Sequence, residues 1–197
     1  MRTRAGQNIA VLDPPDRVLT VRVESVSATQ VTGSVIAEAE HRPEPAARVT
    51  IAAAMLPASA LEGLLARCTE LGAAGFVLLK AERSVARGGN PQRWATICRE
   101  AAMLAGRFSI PEVRGPLTVA QALQAPASFL LDRAGTMRLA DLAAPADLTL
   151  MIGPEGGWTD AERELAGERV LRLGNRNLRA ETAAAAALAI ALANSGD

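Results

Sequence analysis

The chain has 197 residues, a formal net charge of +0 and an apolar fraction of 49%. A balanced charge excludes indiscriminate electrostatic attachment to nucleic acid or to an anionic membrane, and leaves room only for a local basic face. The length suits one α/β domain of about 150 residues plus a small appendage, and the longest apolar run, Ala183 to Ala193, is too short and alanine-rich to span a bilayer.

No secretory leader pattern opens the chain, so a soluble cytoplasmic protein is expected. Cys68 and Cys98 fall within apolar helical patterns and read as small core residues, not as a disulfide or metal pair. No metal site is expected. Lys80 is the only lysine, so the positive charge is carried by arginine, the better residue for bidentate phosphate contacts.

In chain order, residues 1–46 read as β-structure. Ile9 to Leu12, Val18 to Val23 and Val31 to Ile36 are short, β-branched and partly alternating, with a Pro14-Pro15 turn between the first two. Glu38 to Ala47, with Pro43 and Pro45, reads as a linker into a second domain over residues 47–197. Arg48 to Met55 is a candidate buried strand. Ser59 and Glu62 are spaced as a capping box for a helix with Leu61, Leu64, Leu65, Cys68 and Leu71 on one face and Gly72 at its end. Phe76 to Leu79 is the next strand. Asn90-Pro91 sets a cap and a first-turn proline ahead of a helix whose apolar face holds Trp94, Ile97, Cys98, Ala101 and Leu104. Thr118 to Gln121 starts a short helix; Ser128 to Asp132, Asp147 to Ile152 and Arg169 to Leu173 are strands, and the last helix covers Thr182 to Asn194. Strands alternating with helices predict an α/β fold with a mostly parallel sheet covered on both faces.

The chemistry concentrates in residues 147–188. The strand ending at Ile152 breaks into Gly153-Pro154-Glu155-Gly156-Gly157, and Thr159 with Glu162 caps the helix that follows. Strand, glycine-rich turn and helix start is the layout on which α/β proteins hold nucleotide-like ligands, beyond the carboxyl ends of their strands. A phosphate-cradling loop carries Lys and Ser/Thr. This one carries the carboxylate of Glu155, which disfavours phosphate and suits a neutral or cationic nucleoside such as S-adenosylmethionine. A tight turn with no ligand is the competing reading of the loop alone.

Ile152-Gly-Pro-Glu-Gly-Gly157, followed by Leu173-Gly174 and Leu178-Arg-Ala-Glu-Thr-Ala183, resembles the paired signature of the ribosomal RNA small-subunit methyltransferase E family. These are knotted, SPOUT-type enzymes that methylate N3 of a uridine in 16S ribosomal RNA. Thr69 to Gly72 and Glu82 to Val85 match further signatures of that family. The resemblance implies a trefoil-knotted methyltransferase domain at 47–197 behind a PUA-like, RNA-binding β domain at 1–46. It also implies S-adenosyl-L-methionine as cofactor, 16S rRNA or the small ribosomal subunit as partner, and a homodimer packed through the last helix. Backbone groups of Gly153, Pro154, Glu155, Gly156 and Gly157, of Leu173 and Gly174, and of Asn177 and Leu178 are then expected to hold the adenosine, with Leu131 and Ile152 as apolar walls.

Arg179 is expected to orient the uracil or the cofactor carboxylate, with Glu181 fixing the arginine. Two residues apart, they leave a regular helix on different sides, so both reach one site only from the turn before the last helix. Arg2, Arg4, Arg83 and Arg107 are expected contacts to RNA; a solvated surface arginine is the plainer reading of each. The chain departs from the family's pattern in three places. It begins within an arginine-bearing segment, so the PUA-like domain is expected to be reduced or truncated. Pro57 stands where a lysine is common, and Met103 to Arg107 lacks the Glu-Gln-Ser run. The last two losses leave open a catalytically degenerate domain that binds a nucleoside or RNA without methyl transfer. The general base stays unassigned.

Overall fold

The computed structural model describes residues 3–85, 88–143 and 145–196. The chain divides into two compact units, residues 1–44 and 45–197. In the first, β1 (Asn8–Asp13), β2 (Arg17–Val26) and β3 (Val31–Glu40) form an antiparallel meander in that spatial order. β3 runs further than its hydrophobic pattern suggests. Glu38 to Glu40, read above as the start of a linker, continue to pair with β2 as far as Arg17 opposite Glu40, and the chain leaves the ladder before Pro43.

The second unit holds β4 (Arg48–Ala54), α1 (Ala58–Glu70), β5 (Gly75–Lys80), α2 (Pro91–Leu104), β6 (Glu112–Thr118), α3 (Val119–Ala122), β7 (Ser128–Leu131), β8 (Met137–Arg138), β9 (Asp147–Ile152), α4 (Asp160–Ala166), β10 (Val170–Arg172) and α5 (Ala180–Asn194). Seven strands make one sheet in the order β6-β5-β4-β9-β7-β10-β8, and every pairing in it is parallel. Parallel sheets need both faces covered, which is why β4 and β9 are apolar at nearly every position.

Successive side chains of a strand point to opposite faces, and the core divides accordingly. Val49, Ile51 and Ala53 of β4 and Leu148, Leu150 and Ile152 of β9 face the layer of α1, α2 and α5. Ala52, Ala54 and Met151 face the smaller layer built from α3, α4 and Trp158. Cys68 lies free and buried in the larger layer, where burial pushes its thiol up to about 12.

Several expectations are corrected at this level. α1 starts at Ala58 with Pro57 as its N-cap and no side-chain cap, so the Ser59–Glu62 spacing is not used as a capping box. Leu104 is 78% exposed and lies off the buried face of α2, whose fifth apolar contact is Ala102. β6 and β8 have no counterpart in the sequence reading. β6 carries Gly115 and Pro116, which a strand tolerates at a sheet edge, and β6 is an edge strand.

Arg107 was expected on the RNA-facing surface and is instead 5% exposed. Its guanidinium donates to the carbonyls of Thr69 at 2.8 Å and Ala73 at 3.0 Å and to Ser109 Oγ at 3.0 Å, closing the end of α1 against the segment after α2. Arg107→Ala removes the guanidinium donor from both carbonyls, of which that of Thr69 keeps the Gly72 amide, and is expected to cost roughly 2–3 kcal/mol in chemical denaturation, with the Michaelis constant for RNA unchanged. A loss of RNA affinity at unchanged stability would return Arg107 to the binding surface.

Candidate functional site

β9, β7 and β10 are neighbours, and their carboxyl ends are level: Leu131, the last residue of β7, pairs with Ile152, the last of β9, on one side and with Leu171, the penultimate residue of β10, on the other. The segments leaving their carboxyl ends therefore emerge side by side, although up to about fifty residues of chain separate them. They enclose a cleft of about 630 Å³. Every residue assigned above to the cofactor lines it, from Leu131 and Ile152 through Gly153 to Gly157, and from Leu173 and Gly174 to Asn177 and Leu178. Pro154 and Leu178 thus share one cavity.

Trp158 shapes the glycine loop from below. Its side chain is 1% exposed, and its indole Nε1 donates to the carbonyl of Leu131 at 3.0 Å, tying the segment after β9 to the end of β7. A Cβ at Gly153 would sit 2.9 Å from the indole ring, so only glycine fits there. The turn closes with the Gly157 amide donating to the Pro154 carbonyl at 2.8 Å, and Gly157 takes φ +69. The capping box then starts α4: the Thr159 amide donates to Glu162 Oε2 at 2.9 Å, and the Glu162 amide donates to Thr159 Oγ1 at 3.3 Å.

Arg179 is the N-cap of α5, with extended backbone at φ −63 and ψ 151 and no side-chain cap. It lines the cleft with Ala180 and Ala183, so the amino end of a 15-residue helix opens onto the site. Glu181 is not brought there. It is half-buried in the first turn, does not line the cleft, and among the described residues no ion pair joins it to Arg179. The arginine is positioned by the helix start and not by that carboxylate.

The charge of the cleft corrects the argument made from Glu155 alone. Arg83, Arg133, Arg163, Arg176 and Arg179 line it, against Asp132 and Glu155. Arg163 is engaged, with Asp132 at 3.2 Å, with Asp160, and with the Trp158 carbonyl at 2.8 Å; Asp160 is the main reason its proton is held more tightly than usual. Arg133, Arg176 and Arg179 are exposed and have no ion pair among the described residues. The cleft is therefore net positive, and one loop carboxylate does not exclude a phosphate-bearing ligand. Asp132 and Arg133 were missed at the sequence level. The signal available was their place immediately after a strand end.

Arg83 also lines the cleft, donating to loop carbonyls there. Arg4 belongs to the first unit, where its amide donates to Gln7 Oε1 at 2.9 Å. Arg2 lies outside the described residues. Among the described residues there is no cluster of three or more His, Cys, Asp or Glu able to hold a metal, and no helix long and apolar enough to cross a membrane.

Fold and cleft together define a class, α/β proteins with an RNA methyltransferase domain, and the model of that family matches residues 42–192. The chain is similar to ribosomal RNA small subunit methyltransferase E from a Synechocystis species, 34% identical over 96% of this chain and 67% of that protein. It resembles the Bacillus subtilis protein of the same name at 30% identity over 93% of this chain and 80% of the other. The chain belongs to the ribosomal RNA small subunit methyltransferase E family. Among solved structures, a Legionella pneumophila methyltransferase in complex with S-adenosylmethionine superposes with a TM-score of 0.84 at 28% identity, covering 97% of this chain and 84% of that one. The methyltransferase E of Neisseria gonorrhoeae bound to S-adenosylmethionine gives 0.83 at 27% identity, covering 94% and 82%.

Proposed function

We propose that this chain transfers the methyl group of S-adenosylmethionine to N3 of a uridine in 16S ribosomal RNA, acting in the cytoplasm as a homodimer. The observation that carries the reading is the single cleft formed by the two glycine-bearing loops, in a chain whose structural neighbours hold S-adenosylmethionine. The residues present fit that cofactor. A cleft of about 630 Å³ is within the usual range for small-molecule sites. Leu131, Ile152, Leu173 and Leu178 offer apolar walls to an adenine, and Glu155 offers a carboxylate to a cationic ligand. When bound, the cofactor supplies an electrophilic methyl group on a positively charged sulfur.

The protein's own task is to align uracil N3 with that methyl group and to favour loss of the N3 proton. The Arg179 guanidinium, set at the open amino end of α5, is placed to stabilise negative charge developing on a uracil carbonyl. Arg133 and Arg176 on the same rim suit the phosphates of the flanking nucleotides. The trefoil knot is supported by the return of the chain after β10, which packs α5 against α1, β4 and β9. The PUA-like reading of residues 1–46 rests on the β-meander of the first unit. The homodimer is supported by an apolar surface of α5 that its own domain leaves partly uncovered, with Ala189 and Ala193 exposed and Ile190 half-buried.

Transfer of a radiolabelled methyl group to small ribosomal subunits lacking the modification tests the reading. The digest is expected to contain labelled N3-methyluridine, with the same preparation scattering light as a dimer. Label at another position retires the N3 assignment, and no transfer by a preparation that still binds the cofactor favours a binding module.

A further inference from the structure

The loop after β5 reaches across the end of β4 to the cofactor loop. Arg83 Nη1 donates to two carbonyls there, Gly156 at 3.0 Å and Trp158 at 3.2 Å. Next to it, the amide of Glu82 donates to Glu162 Oε1 at 2.9 Å, while Glu162 Oε2 accepts from the Thr159 amide at 2.9 Å. Glu162 is only 8% exposed, so one buried carboxylate bridges the start of α4 and the β5–α2 loop. The approach is close: a Cβ at Gly156 would lie 3.3 Å from Arg83 Cβ.

These bonds account for the polar backbone on the far side of the loop. The Gly156 and Trp158 carbonyls are turned to Arg83, the Gly157 amide to Pro154 and the Thr159 amide to Glu162. The amides of Glu155 and Gly156 have no hydrogen-bond partner among the described residues and remain open to a ligand. A trans peptide points its carbonyl and amide in opposite directions. Arg83 holds the Gly156 carbonyl, whose peptide partner, the Gly157 amide, closes the turn onto the Pro154 carbonyl, and that carbonyl in turn shares its peptide with the Glu155 amide, so the strapped turn sets the direction of the Glu155 amide. A binding loop held in its bound shape before the ligand arrives gains affinity by avoiding the cost of ordering.

We infer that Arg83 is a positioning residue for the cofactor loop, with Glu162 as its second anchor, and that the pair sets affinity for the methyl donor and not for RNA. The inference rests on the cleft being the cofactor site. It replaces the sequence expectation for Arg83, because a guanidinium donating to two loop carbonyls is already committed.

Calorimetry with S-adenosylmethionine on the full chain, without RNA, separates the possibilities. The unsubstituted protein binds the donor if the cleft is correctly read; absence of binding there sinks the cofactor assignment before Arg83 is tested. Given that binding, Arg83→Ala is expected to raise the dissociation constant at least tenfold with an unchanged melting temperature, since the side chain is exposed. Arg83→Lys keeps the charge but not the two-carbonyl reach, and is expected to stay at least threefold weak. Glu162→Gln, which puts an amide donor where two backbone amides need acceptors, is expected to shift affinity in the same direction. In steady state, the Michaelis constant for the donor rises in Arg83→Ala, while that for RNA does not move. Unchanged donor affinity in Arg83→Ala with a raised Michaelis constant for RNA overturns the inference and makes Arg83 an RNA contact. Full recovery in Arg83→Lys reduces the effect to charge and rejects the positioning role through the two carbonyls. Unchanged donor affinity in Glu162→Gln rejects the second anchor.

Discussion

Trp158→Ala is expected to destabilise the second unit by about 3–5 kcal/mol, the usual cost of emptying a large aromatic site in a core. Three losses act together: the indole fills the smaller layer beneath β7 and β9, it donates to the Leu131 carbonyl, and it supports the backbone at Gly153. For a domain of this size each kcal/mol moves the melting temperature by roughly 2–4 °C, so thermal unfolding shifts by on the order of 10 °C. Donor affinity is expected to fall in parallel, because the segments after β7 and β9 lose the bond that joins them. A change under about 1 kcal/mol by urea titration would mean the cleft does not depend on the indole.

The second large effect is chemical. Arg179→Ala is expected to lower the turnover number by about 10²–10³, the range seen when one donor to a developing oxyanion is removed, while the melting temperature stays put. The side chain is exposed at the helix start and has no ion pair among the described residues, so its removal breaks nothing in the fold. The informative readout is turnover at saturating cofactor and RNA, since a residue that only helps binding shifts the Michaelis constants. Near-normal turnover would retire Arg179 from the chemistry. Because no ion pair joins Glu181 to Arg179 among the described residues, Glu181→Gln is expected to be a weak perturbation on the same assay.

Both loops of the cleft were legible in the sequence because each breaks a regular element with residues chosen for backbone reasons: glycines after β9, and the Leu-Gly-Asn run after β10. Their convergence was legible too, through the rule that ligands collect at the carboxyl ends of parallel strands. What escaped notice has a common cause. The arginines that set the sign of the cleft come from separate segments, at 83, 133, 163, 176 and 179, so no window of sequence around Glu155 contains enough of them to reverse its charge. Arg107 escaped because an arginine is usually exposed, and only the carbonyl-rich end of α1 explains its burial. β6 was hidden by its own proline and glycine, tolerable only at the sheet edge. The start of α1 was misplaced because two side chains with capping-box spacing sat just inside a helix begun by Pro57.

The same indole gives the molecule an optical handle. The chain has two tryptophans and no tyrosine, and the other, Trp94, sits in α2 away from the cleft. Near-ultraviolet emission therefore comes from two fluorophores, one of them directly beneath the glycine loop. With Trp94 replaced by phenylalanine, the remaining signal would belong to a single ring in contact with Gly153 and bonded to the end of β7, and occupancy could be followed without attaching a dye.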